Sequence, residues 1–337
     1  MKDALDQPPM SIAAYLEGLD SFKRNEVAQV LDFSLPVIES INRKYGGSDT
    51  PEIRIIPNEA IGAEANVYVI RLNTGLIDHI LIPPPASPQE VISRKIPAFF
   101  GGNPSAMFSL VWILAHEWMH VVRKHNELHH HIQDTDKVSQ ALEYDADLCG
   151  TAEIYRLMQR LFGAHVDDLQ IRKYAAYSIF WTLRVLPNYG ENNSHGSHTE
   201  RLYHICQKLA IINKNPLRAP DINASKPETQ ERCISILNAV IKCEDIYLSL
   251  QQGTSPTEHI ASVWQRFIET NEHLTTVETW ESIKEIVARI SETRTSPLSH
   301  SETASAQAKA RLNKKRDKKI CNKKQRKARA KNRKTKK

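Results

Sequence analysis

The sequence predicts an α+β fold, mostly helical with a small sheet. Three observations predict it. Long stretches of helical periodicity are divided by Pro- and Gly-marked breaks, two short β-like runs are confined to residues 52–72, and one strongly helical stretch carries His116-Glu117-Trp118-Met119-His120.

Residues 11 to 45 read as helical, with Val27, Val30, Leu31, Leu35, Val37 and Ile38 at mixed helical spacing, a kink or break at Pro36, and an end at Gly46-Gly47. Glu52 to Pro57 and Asn66 to Leu72 read as strands, the second turning at Asn73-Thr74-Gly75. Leu76 to Ile82 reads as strand or short helix, and Pro83-Pro84-Pro85 as a stiff loop. Asn103 is placed to cap the motif helix, and Pro104 suits its first position, so that helix is expected over about 104 to 125. Further helices are expected over about 138 to 162, 168 to 186 and, in several pieces, 198 to 292, with a polar loop at 187 to 197. The organisation read from this is an N-terminal helical segment (1–48), a central domain (49–210), a helical C-terminal extension (211–292), and a flexible linker with a disordered basic tail (293–337).

Composition narrows the class. The 337 residues, 41% of them hydrophobic, are enough for a sizeable core. Five cysteines (Cys149, Cys206, Cys233, Cys243, Cys321) include no C-x-x-C pair, which argues against a disulfide framework or a zinc ribbon and for a reducing, cytoplasmic setting. The first ten residues do not read as a secretory signal. The most apolar run, Ala106 to Ala115, is too short to span a bilayer, so a buried helix and no membrane association are expected. The net charge of +6 is uneven. Residues 309 to 337 carry 17 Lys or Arg against one acid, Asp317, and leave the other 308 residues at −10. That tail contains no aromatic residue, so any nucleic acid or ribosome it meets would be held through phosphate and not by base stacking.

The chemistry lies in the motif helix. Positions four apart share a helix face, so His116 and His120 can present two imidazoles to one metal ion, with Glu117 beside it as general base. A hydrolytic zinc keeps three protein ligands and an open place for water. Glu143, on the next helix, is the candidate third ligand. Asp147, one turn further on, is the candidate partner that orients a ligand histidine, whereas Asp145 points elsewhere on that helix.

These residues resemble the gluzincin metallopeptidases, whose two helices carry H-E-x-x-H and then E-x-x-x-D. The stretch His195-Gly196-Ser197-His198-Thr199-Glu200-Arg201-Leu202 is also similar to the downstream H-P-x-x-x-x-R-I signature of the CAAX-prenyl and HtpX-like peptidases, with Gly196 in place of the proline and Leu202 in place of the isoleucine. The resemblance implies a zincin-like fold and a zinc-dependent endopeptidase. It implies His195 as an oxyanion donor, and Arg201 and Asn66 as residues on the substrate side. The Asn66–Gly75 strand would be the edge beside the active site, to which an extended peptide can add. A plainer reading makes Ser197 a helix cap and leaves His195 and Arg201 on the surface. The membrane-embedded members differ from this chain in their spanning helices. The phage-exclusion Lit peptidases are the closer comparison, and they imply a protein substrate in the translation machinery. The competing class is a nucleic-acid- or ribosome-binding protein whose zinc site is structural or inactive.

Overall fold

The computed structural model describes residues 8–45, 52–66, 69–92, 103–132, 136–186, 196–215, 218, 220, 226–250 and 258–291. In chain order its elements are β1 (Met10–Ser11), α1 (Ile12–Glu17), α2 (Ser21–Tyr45), β2 (Glu52–Ile56), β3 (Ala63–Asn66), β4 (Val69–Asn73), α3 (Thr74–Ile80), α4 (Pro88–Ile92), α5 (Pro104–Val122), a 3-10 helix (His125–His130), α6 (Asp136–Phe162), α7 (Asp168–Val185), α8 (His198–Ile211), α9 (Pro227–Leu250), α10 (Ile260–Thr270) and α11 (Leu274–Ile290). The chain divides into two units. One comprises Met1–Ile211 and Asn223–Arg294; the other comprises Ile212–Ile222 and Thr295–Lys337, of which only residues 212–215, 218 and 220 are described. Among the described residues, all the helices and strands belong to the first unit, so the segments read as 1–48, 49–210 and 211–292 each contribute elements to it. The linker and basic tail read over 293–337 lie outside the described residues.

Helix α5 occupies the centre. It packs against α2, α6 and α7, and touches β3, β4 and α3. Every side chain from Ala106 to His116 is buried. A helix apolar on all sides is stable only when covered on all sides. The helical stretch Pro104–Leu128, longer than the run Ala106–Ala115, is long and apolar enough to cross a membrane by length and composition, but 78% of its most apolar window is covered by the fold itself, in line with the buried helix expected. Its start is local chemistry. Asn103 Oδ1 accepts from the Ala106 N–H at 3.1 Å, its Nδ2 donates to the Leu81 carbonyl at 2.7 Å, and Pro104 occupies the first turn. Its end comes earlier than the expected residue 125. Lys124 adopts a left-handed conformation (φ 52°), which stops the helix and turns the chain into the 3-10 helix.

Pro36 neither breaks nor ends its helix, because α2 runs through it. The missing backbone bond and ring clash cost about 3 kcal/mol in a helix interior. Burial of Val27, Val30, Leu31, Val37, Ile38 and Ile41 offsets that, at roughly 1.5–3 kcal/mol for each large side chain. At the other end of the fold, α11 lays Trp280, Ile283 and Val287 against Leu128, Val138, Ala141 and Leu142. The C-terminal helical segment therefore braces the back of α6.

The sheet has the order β1-β2-β4-β3, with β2 and β4 parallel and both outer pairs antiparallel. The strand expected over Asn66–Gly75 is divided. Asn66 closes β3 and pairs with Val69, so the chain reverses there, and β4 lies inside the sheet between β2 and β3. The edge strand next to α5 is β3. Thr74 and Gly75 begin α3 instead of ending a strand. Gly75 N–H donates to the Asn58 carbonyl at 2.9 Å, and a Cβ on Gly75 would lie 2.0 Å from the Glu59 carbonyl oxygen, so only glycine fits this crossing.

Candidate metal centre

The site forms where α5 and α6 lie side by side. Gly150 permits the approach, since a Cβ there would meet the Trp112 carbonyl oxygen at 3.3 Å and the His116 backbone nitrogen at 3.4 Å. From α5, His116 and His120 project toward α6, and α6 returns Glu143. The Nε2 atoms of the two histidines are 3.2 Å apart. Glu143 Oε2 is 3.2 Å from His116 Nε2, and its Oε1 is 3.3 Å from His120 Nε2. Tetrahedral zinc with bonds of about 2.0–2.2 Å sets neighbouring ligand atoms roughly 3.3–3.5 Å apart. Each imidazole thus lies at nearly that spacing from the other and from one of the two Glu143 oxygens, one ligand atom from each residue lies within 4.8 Å of the others, and the group could hold a metal ion. His116 and Glu143 are buried, and His120 is half-buried.

Asp147 and Arg201 hold the first imidazole. Asp147 Oδ1 lies 2.9 Å from His116 Nδ1, on the side away from Glu143. Arg201 grips the same carboxylate with two bonds of 2.8 Å, from Nε and Nη2. Such a planar two-point contact fixes orientation as well as charge. Trp112 backs the His116 ring at 5.5 Å between centroids, and the Arg201 guanidinium lies 5.9 Å from the Trp112 ring. Burial by itself would raise the Asp147 pKa, but Arg201 and His116 outweigh it and hold the carboxyl below its usual range. Burial would lower the pKa of His116, but Glu143 and Asp147 outweigh it and bring it up to about 10. The His116 ring therefore holds its proton tightly when no cation is bound.

Glu117 is half-buried next to this group. Burial is the main cause that pushes its pKa up to about 7; His116 and Arg201 pull the other way, and Glu143 and Glu64 add to the rise. Glu64 belongs to β3, so the edge strand is within electrostatic reach of Glu117.

The second imidazole has a support that sequence reasoning missed. His125 Nδ1 is 2.9 Å from His120 Nδ1, and His125 Nε2 is 3.6 Å from Asp145 Oδ2. Arg123 Nε lies 3.3 Å from the same Asp145 oxygen, and its guanidinium sits 5.9 Å from the Trp280 ring. All three are buried; Asp145 stands outside the His116–His120–Glu143 group and reaches its surroundings through His125. The spacing from His120 to His125 is not helical, and only the left-handed Lys124 brings His125 back.

The other site residues from the sequence divide as follows. Arg201 is buried against Asp147, and not on the surface as the plainer reading has it, while Ser197 does cap α8 by accepting from the Glu200 N–H at 3.1 Å. His195 lies outside the described residues. Asn66 is exposed at the end of β3. Asn126, just after the site, donates from Nδ2 to the Ala65 carbonyl at 3.0 Å and so occupies one acceptor of that strand. A small cavity of about 20 Å³ opens on the Asp147–Arg201 side, lined in part by Gln140, Tyr144, Glu200 and His204. No family model, curated protein or solved structure matches the chain, so its chemistry is read from its own residues.

Proposed function

We propose that the protein is a zinc-dependent endopeptidase that hydrolyses a protein substrate. One observation carries this reading: three metal-binding side chains converge at 3.2–3.3 Å with a carboxylate whose pKa stands near 7 beside them. His116, His120 and Glu143 would hold the ion, and two imidazoles with one carboxylate suit zinc. When bound, zinc supplies a Lewis acid that makes water acidic near neutral pH and polarises a carbonyl.

The chain's own residues then have distinct tasks. Glu117 accepts a proton from water and returns it to the leaving amine, a role for which a pKa near 7 is matched. Asp147, held by Arg201, keeps the His116 ring turned toward Glu143. An extended peptide laid along β3 would pass Glu64 and Glu117. His195 is the proposed donor to the developing oxyanion, on the strength of the family resemblance.

The test compares wild-type protein with Glu117→Gln. The expected result is about one zinc per chain in both, with cleavage of a mixed protein digest reduced on the order of 100- to 10,000-fold in the variant. Equal cleavage by the two proteins overturns the proposal. Full zinc occupancy with no cleavage by either would favour the structural or inactive site.

A further inference from the structure

We infer that His125 is a positioning residue that fixes the ring of His120 for the ion. The inference deepens the proposed function and rests on it for the identity of the ion-binding group.

The argument starts from proton placement. For His120 to offer Nε2 as a lone pair toward Glu143 and His116, its own proton must sit on Nδ1. The group facing that Nδ1, at 2.9 Å, is His125 Nδ1. A hydrogen bond between two like nitrogens needs one donor and one acceptor, so His125 accepts at Nδ1 and carries its proton on Nε2. That Nε2 faces a carboxylate oxygen of Asp145, to which Arg123 also turns its Nε. Every ring nitrogen in the chain of contacts is thereby assigned one role, and all of them agree with His120 as a ligand through Nε2. The His120 and His125 rings meet edge to face, with centroids 4.8 Å apart and an interplanar angle of 82°, so His125 also blocks rotation of the His120 ring. The geometry differs from that at His116, whose Nδ1 meets the Asp147 carboxylate directly. Partners behind a ligand histidine hold its tautomer and orientation, and their loss typically weakens metal binding 10- to 100-fold.

Two substitutions separate positioning from general packing. His125→Asn puts an amide near the position of Nδ1 and keeps an acceptor for His120. His125→Gln puts its amide near the position of Nε2, toward Asp145, and leaves His120 unsupported. The readouts are zinc affinity by chelator competition and the visible absorption spectrum of the cobalt-loaded full-length protein. Expected are a 10- to 100-fold weaker affinity and a shifted cobalt spectrum for His125→Gln, with His125→Asn within a few-fold of wild type. Wild-type affinity and spectrum in His125→Gln overturn the inference. So does equal weakening in the two variants, which would mean that His125 only packs. A wild-type chain that binds neither zinc nor cobalt overturns the proposed function, and this inference with it.

Discussion

Helix α6 carries two buried polar clusters, and they are built on opposite principles. Toward its C-terminal end, Tyr155 donates to Asp168 Oδ1 at 2.6 Å, Arg172 Nη2 donates to the Tyr155 oxygen at 2.9 Å, Arg172 Nε donates to Asp168 Oδ2 at 2.7 Å, and Arg172 also meets the Leu209 carbonyl. Donors face acceptors, and charge faces opposite charge. That cluster is complete as it stands and ties α6, α7 and α8 together. Toward the N-terminal end, around Glu143, two imidazole nitrogens and the two oxygens of a carboxylate face one another at 3.2–3.3 Å. Acceptors at that distance repel one another unless a proton or a cation lies between them. Burial and polarity are common to the two clusters. Of the two, the second is the one that could hold a metal ion.

The comparison can be broken most severely at Glu143. Glu143→Ala removes one of three donors and is expected to weaken zinc affinity by on the order of a thousandfold or more, with a small change in the metal-free melting temperature. Calorimetric titration with a chelator competitor measures the first, and thermal denaturation the second. A variant with undiminished affinity would show that the cluster is not an ion site.

The opposite behaviour is expected at Arg172. Arg172→Met leaves the Asp168 carboxylate without its buried partner and should cost roughly 3–5 kcal/mol of stability. Zinc affinity in the folded variant should stay within about twofold of wild type, because distant sites act independently. Chemical denaturation followed by circular dichroism, beside the same competition assay, separates the two quantities. Loss of affinity without loss of stability would erase the distinction between the clusters.

A milder effect appears with pH. The His116 pKa rises from 6.5 in the unfolded chain to about 10 in the fold, so its contribution to metal-free stability is fully present below about pH 6.5 and is lost as pH rises through 10. Glu117, raised from 4.5 to about 7, contributes with the same sign at lower pH: its contribution is present below 4.5 and is lost as pH rises through 7. Zinc held as proposed would compete with the His116 proton, so added zinc should raise the melting temperature more at pH 8.5 than at pH 6.5. Differential scanning fluorimetry with and without zinc checks this. An increment that shrinks over that range would mean that no proton is displaced from the cluster.

Much of this arrangement was legible in the chain because it follows helical arithmetic. His116 and His120, four apart, and Glu143 and Asp147, four apart, share faces for the same geometric reason. Asn103 and Pro104 announced the start of α5 through cap chemistry that acts over three residues. What escaped had no period to betray it. His125 returns to the site through one left-handed residue, Lys124, a conformation that non-glycine residues seldom take and that nothing adjacent in sequence demands. Asp145 was set aside because it faces away from Glu143 on the helix. Yet α6 is covered on that side too, by Arg123 and His125. The division of the Asn66–Gly75 run followed from pairing: alternation marks a strand but does not say where the chain reverses to pair with itself.

The close crossing at Gly150 would limit which ion the His116–His120–Glu143 group could hold. The gap between the imidazole pair and the carboxylate is a packing distance between two core helices, not a property of flexible loops. Calcium, with oxygen ligands at about 2.3–2.6 Å and six to eight of them, would have to pry those helices apart and recruit donors that are not at hand. If the group holds an ion, selectivity by radius would be set by helix packing, at a glycine outside the His116–His120–Glu143 group.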